Sequence, residues 1–243
     1  MVSASAFGGF SAVAPGTWVE IYASNLASDT RQWGSSDFMG NNAPTSLDGV
    51  QVTIGGQKAL IDYISSNAGQ VNAQLPSNIS NGGPLPVVLT NSNGTSRVFE
   101  VTVNATEPGL LAPSAFVIGG KQYVVALLSD GATYILPTGA ISGVISRPAH
   151  PGETVTLYGI GFGGVTPSIG AGQIVTESNQ IAASLQILFG QTPAQVSYAG
   201  LVPGFVGLYQ FNVVVPPDSD LVPLAFNLGS TTGMQTLYIA VHQ

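Results

Sequence analysis

The chain has 243 residues, a length that accommodates one large β domain or two smaller ones with separate cores. Only 7% of its residues are charged, against about 25% in an average soluble protein, and 12 acidic against 5 basic residues give a net charge of −7. With no basic cluster a phosphate backbone finds no counter-charge, which excludes a nucleic-acid partner, and the absence of cysteine excludes disulfides and thiolate metal sites.

Gly (31) and Pro (16) make up about a fifth of the chain, and 44% of it is hydrophobic, too much for a disordered segment. Polar surface must come from Ser, Thr, Asn and Gln, which suit strands and turns better than helices. No apolar run reaches the ~18 residues of a membrane-spanning helix, and the opening MVSASAFGGF lacks the charged n-region of a signal peptide. The expectation is a soluble chain of the low-charge kind common among exported bacterial β proteins.

Three sequence blocks occur twice, in the same order. First, Pro15-Gly16 opens a strand with Val19 and Ile21 on one face, and Pro151-Gly152 opens another with Val155 and Leu157 on one face. Second, an alternating strand (Val50, Val52, Ile54) turns at Gly55 and returns through Ala59 to Tyr63, just as Leu185, Ile187 and Phe189 turn at Gly190 and return through Ala194 to Tyr198. Third, Gln70, Asn72 and Pro76 are answered by Gln210, Asn212 and Pro216. Between the second and third blocks the later copy carries five extra residues around Leu201 to Phe205, a length change that a surface loop tolerates. Each copy then closes with two more strands, 85–90 and 98–103 in the first and 221–228 and 235–241 in the second.

This spacing predicts about seven short strands per copy, the pattern of an immunoglobulin-like sandwich. The predicted fold is all-β: one sandwich over 1–106, a β-hairpin bridge over 107–146, and a second sandwich over 147–243. In the bridge, 122–128 and 132–136 flank a Ser129-Asp130-Gly131 turn. The bridge is too apolar for a flexible linker and is expected to pack on one or both sandwiches with Val125 and Leu127 inward.

The segments APGTWVEIYASNLA, SLDGVQVTIGGQKALIDYIS, GQVNAQLP, HPGETVTLYGIGFG and YAGLVPGFVGLYQFNVVVP resemble the uncharacterised C-terminal domains of secreted soil-acidobacterial proteins. Each half also resembles the IPT/TIG type of immunoglobulin-like domain. The resemblance covers nearly the whole chain and implies export and an accessory position at the end of larger proteins. It implies no chemistry, because fold does not dictate function.

Candidate chemistry is sparse. His150 with Glu153 invites an acid/base reading, but no G-x-S-x-G or other nucleophile motif accompanies it, and His150 and His242 read as turn and strand-end residues. Glu20, Asp37, Asp48 and Asp62 give no pairing in sequence such as glycosidases need. Asp218 and Asp220 read as a solvated turn rather than a calcium site. The glycines from Gly159 to Gly164 precede Pro167 instead of the helix that a dinucleotide loop requires, so they read as a strand-closing loop. Tyr63 and Tyr198, and the Gln70/Asn72 and Gln210/Asn212 pairs, read as structural: ring in the core with the hydroxyl on a backbone group, and amides that pin the strand-closing loop.

The exception is the polar insertion 28–42, which carries Trp33 and Phe38 and has no aromatic counterpart in the second copy. Aromatic rings on a rigid β scaffold stack on sugar faces, whereas a loop aromatic can equally pin its loop to the domain beneath. Trp33 and Phe38 are therefore the candidate ligand-binding residues. The leading role is a non-catalytic extracellular or cell-surface accessory module that contacts other protein domains or cell-surface polysaccharide. The alternatives are a carbohydrate-binding module using loop aromatics and a hydrolase with an unfamiliar site. The sequence assigns no catalytic residue, cofactor or metal.

Overall fold

The computed structural model describes residues 1–4, 10–217 and 222–242; Asp218, Asp220 and Leu221 lie outside the described residues. The all-β expectation holds. Among the described residues the helical elements are two single-turn 3-10 segments, Ser35–Asp37 and Ser114–Phe116, and everything else regular is strand.

Two sheets make the first sandwich. One runs in the order Val2–Ser3, Trp18–Tyr22, Gln70–Gln74, Leu60–Ser65, Thr30–Gln32; the other in the order Ala12–Val13, Phe99–Val103, Gly83–Asn91, Gln51–Ile54, Gln57–Lys58. Period-two alternation places buried residues between them: Val52 and Ile54 point in while Gln51 and Thr53 are half exposed. Val19, Ile61, Ile64, Val71, Leu89 and Val101 complete the core, with Ile21 packed on its margin. At the hairpin, Gly55 and Gly56 both take positive φ (59° and 80°) between paired Ile54 and Gln57, the two-residue turn whose twist suits antiparallel strands.

The second sandwich pairs a sheet ordered Ser146–Arg147, Tyr134–Ile135, Ala126–Leu128, Thr154–Ile160, Tyr209–Val214, Gln195–Leu201 with one built from Thr192–Pro193, Leu185–Phe189, Val222–Leu228, Thr231–Thr232 and Leu237–Ile239. Phe162 anchors its core against Phe211 at 4.6 Å and Phe226 at 5.3 Å between ring centroids. The bridge adds Ala126–Leu128 and Tyr134–Ile135 to the first of these sheets, with Leu127 opposite Thr156, while its Val117–Ile118 and Lys121–Gln122 pair with each other; its Val124, Ala126, Ile135 and Leu136 are buried in this core. The inward face is opposite to the expected one. Ala126 pairs with Leu157, which already points inward, so Val125 and Leu127 are only half buried.

Strand register recurs between the halves. In each, the strand ending the second sequence block is bulged against its neighbour, between Ile61 and Tyr63 in one and between Val196 and Tyr198 in the other, so that Tyr63 faces Asn72 and Tyr198 faces Asn212. The Tyr198 hydroxyl donates to the Leu201 carbonyl at 2.8 Å as expected, but Tyr63 and Tyr198 are both only half buried and neither ring belongs to a core, because the bulge turns them away from the inward face. The amide pairs depart from expectation: Gln70 and Gln210 donate to Asn72 and Asn212 at 2.7 and 2.8 Å along the same strand instead of pinning a loop.

Candidate functional site

The 28–42 insertion is built around Arg31. Thr30–Gln32 pairs at the sheet edge with Leu60–Ser65, and the guanidinium reaches Asp48 at 2.5 and 2.8 Å and Asp37 at 2.9 and 3.1 Å. Hydrogen bonds from Arg31 hold both carboxyls below the ordinary Asp range. Asp37 also accepts the Gly34 amide at 2.7 Å and closes the 3-10 turn that leads to Phe38. The backbone amide of Trp33 donates to the Asp62 carbonyl at 2.8 Å.

Trp33 stands edge-to-face between two rings, with Trp18 at 5.6 Å and 75° and Phe38 at 4.9 Å and 64°. Trp33 packs on the first core, and with Trp18 and Phe38 it also lines a cleft of about 550 Å³. The opposite wall belongs to the second half. It comes from the five-residue length difference around Leu201 to Phe205, and Phe205, 56% exposed, lines the cleft with Val206 and Leu208.

The walls are tied together. The Trp18 indole N–H donates to the Val206 carbonyl at 3.0 Å. Buried Gln74 accepts the Gly172 amide at 2.7 Å and donates to the Gly16 carbonyl at 2.9 Å. The Ala43 amide donates to the Gly172 carbonyl at 2.7 Å and that of Ile174 to the Asn41 carbonyl at 2.9 Å. Gly207 sits at φ 65°, where a Cβ would collide with the Gln74 amide nitrogen and stand 2.9 Å from the Trp18 indole nitrogen, so glycine is what permits this approach.

Polar groups line the floor: Glu20, Gln32, Asp62 and Asn72. Asp62 is the residue between the shifted registers of the bulge, and bulges re-aim a side chain in this way. It accepts from Gln32 at 2.9 Å. Burial pushes its carboxyl above the ordinary Asp range, an effect that hydrogen bonds from Gln32 and Asn72 offset in part. Glu20 accepts the Tyr22 hydroxyl at 2.6 Å, and burial together with that bond pushes Tyr22 up to about 12. The cleft thus offers aromatic surface beside acceptor-only carboxylates and two amides.

No family model matches the sequence, and no curated protein does so either. Several solved structures are similar to the chain, among them two surface glycan-binding proteins. One is a Bacteroides ovatus mixed-linkage glucan utilization locus SGBP-B in complex with a mixed-linkage heptasaccharide, at 15% identity over 96% of this chain and 43% of that one, with a TM-score of 0.38. The other is the surface glycan-binding protein PbSGBP-B from Prevotella bryantii, at 11% identity over 94% of this chain and 38% of that one, with a TM-score of 0.27. The chain spans less than half the length of either.

The remaining sequence candidates lie elsewhere. His150 is exposed, with Nδ1 2.9 Å from the His242 carbonyl oxygen. Glu153 accepts the His150 amide and two Arg147 nitrogens, and chiefly that arginine holds its carboxyl down at about 2. In the glycine run, a Cβ on Gly161 would collide with the Glu107 carbonyl oxygen, so that glycine serves close packing of the 107–109 segment. No group of three or more metal-ligating side chains occurs among the described residues. Trp18, Glu20, Asp62 and Phe205 line the cleft although none is a ligand-binding candidate from sequence: Glu20 and Asp62 read there as carboxylates without a pairing, and the length change at 201–205, which supplies Phe205, read as a tolerated surface loop.

Proposed function

We propose that this chain is a non-catalytic glycan-binding module of an extracellular or cell-surface protein, and that the cleft between its two sandwiches is the binding site. The observation that carries the reading is the meeting there of Trp18, Trp33, Phe38 and Phe205 with the carboxylates of Glu20 and Asp62. A sugar ring presents an apolar C–H face and a rim of hydroxyl donors; aromatic rings take the first and carboxylates accept from the second. Because both walls are fixed by hydrogen bonds across the junction, little ordering cost attends binding.

Trp33 is tilted 75° from Trp18 and 64° from Phe38, so these rings form no flat platform. A cleft of that shape grips a single dissolved chain, whereas coplanar rings suit the face of a crystalline polymer. The same reading takes the two halves as diverged copies of one IPT/TIG-type module, placed as an accessory on a larger secreted protein. The shared bulge register supports the duplication, and the sequence resemblance supports the accessory position.

The test is retention on a panel of soluble polysaccharides by affinity electrophoresis, followed by calorimetry. Trp33→Ala and Phe205→Ala should each weaken binding by about 30-fold, the ~2 kcal/mol of a buried aromatic hot spot. A panel with no retained polysaccharide, or variants that bind like the parent, would refute the reading. One observation favours a hydrolase as the second reading: two carboxylates line one cleft and burial raises one of them. Release of reducing ends from a bound polysaccharide, abolished by Asp62→Asn, would replace binding with catalysis.

A further inference from the structure

Beside the aromatic cleft lies a second depression of about 350 Å³, lined by Met39, Asn41, Asn42, Gln173, Thr176 and Glu177. Ile174 lines both, so the two are contiguous across one side chain. The same insertion that carries Trp33 and Phe38 into the cleft carries Met39, Asn41 and Asn42 into the depression within the next four residues. The floor between them is fixed: Asn42 bridges Gln173, the Ile174 amide donates to the Asn41 carbonyl at 2.9 Å, and the Val175 amide donates to the Phe205 carbonyl at 3.0 Å.

The chemistry of this depression is complementary to the cleft. Met39 is 83% exposed and offers an apolar surface. The side chains of Asn41, Thr176 and Glu177 are exposed and make no hydrogen bond to other described residues, which leaves an amide, a hydroxyl and a carboxylate open to a ligand. No Lys or Arg lines either depression, while Glu20, Asp62 and Glu177 are spread along them in a chain of net charge −7. That field repels polyanions and leaves nothing to pair with a uronate.

Resting on the glycan-binding reading, we infer that the cleft and the amide depression form one extended groove, which takes an internal stretch of a linear, uncharged polysaccharide, with Asn41, Thr176 and Glu177 as a distal subsite. At about 550 and 350 Å³, each part falls in the ~300–1,000 Å³ range of pockets that engulf a small ligand, so the groove holds more than one sugar unit.

The experiment uses calorimetric titration with cello-, xylo- and manno-oligosaccharides of two to six units, and with polygalacturonate. In the parent protein, affinity for one neutral series should climb at least tenfold from the shortest to the longest member, and polygalacturonate should not bind. The double variant Asn41→Ala with Thr176→Ala alters only exposed side chains. It should bind the shortest ligand within twofold of the parent and lose the gain with length, whereas Trp33→Ala should weaken every length. If the double variant keeps the full gain, the distal subsite is refuted while the glycan-binding reading stands. If polygalacturonate is preferred, the uncharged-ligand assignment is refuted. If no oligosaccharide or polysaccharide binds the parent, both fall together.

Discussion

The indole N–H of Trp18 donates to the carbonyl of Val206, 188 residues further along the chain, at 3.0 Å. This single bond joins a strand of the first sandwich to the loop that walls the cleft in the second. Trp18→Phe keeps a ring beside Trp33 but removes the donor, and the half-enclosed carbonyl is left without its protein partner. A loss of about 1–2 kcal/mol in unfolding free energy is expected, read by denaturant titration with an unchanged slope. A variant as stable as the parent would mean that solvent replaces the indole at no cost.

Gly207 makes the same junction possible. Gly207→Ala adds a methyl that meets Gln74 and Trp18 at a backbone conformation of φ 65°. The conformational penalty alone is roughly 1–2 kcal/mol, and the collision adds to it. Gly229→Ala is the control, because φ there is 56° with nothing within 4 Å of the added atom. Thermal melts should place Gly207→Ala well below Gly229→Ala. Equal melting temperatures would show that the junction is loose.

Asp62 separates binding from stability as pH falls. Its folded pKa is raised by burial, so its ionised form costs the fold something above that pKa, and the cost is relieved as pH drops through it. Acid should therefore not destabilise the protein through this residue. Glycan affinity should decline over the same interval, because a protonated carboxyl is a poorer acceptor for sugar hydroxyls, and the decline should begin at higher pH than for an exposed aspartate. Asp62→Asn should flatten that part of the pH profile in calorimetric titrations. An affinity that falls identically in the variant would overturn the assignment to Asp62.

What the sequence made legible is local. Val52 and Ile54 announce an inward face by alternation, Gly55-Gly56 announces the hairpin, and the repeated glycine-to-tyrosine spacing carries a register that recurs in both halves. The cleft is not local. Trp18 and Glu20 alternate outward from a strand whose inward Val19 draws attention, and what lies opposite them comes from 204–208. Asp62 points into the cleft because of a one-residue bulge, which alternation cannot foretell. Trp33 and Phe38 stood out in the sequence as an aromatic pair in a polar insertion, although Trp33 also packs on the first core.

The bridge tests the same limit. Read as an isolated alternating strand, 122–128 has two equivalent faces, and only its partner decides between them. Pairing of Ala126 with Leu157 turns Val124 and Ala126 into the second core and leaves Val125 half exposed. Val124→Ser should then cost roughly 1.5–3 kcal/mol for the lost apolar burial, with a further penalty for an unsatisfied hydroxyl. Val125→Ser should cost less than half as much. Because the buried bridge residues belong to the second core, hydrogen exchange in Val124→Ser should accelerate in Thr154–Ile160 and Tyr209–Val214 while protection in Gln51–Ile54 and Gln70–Gln74 stays near that of the parent. Uniform acceleration in both sandwiches would mean that the two cores unfold as one unit, with the bridge coupling them instead of serving the second alone.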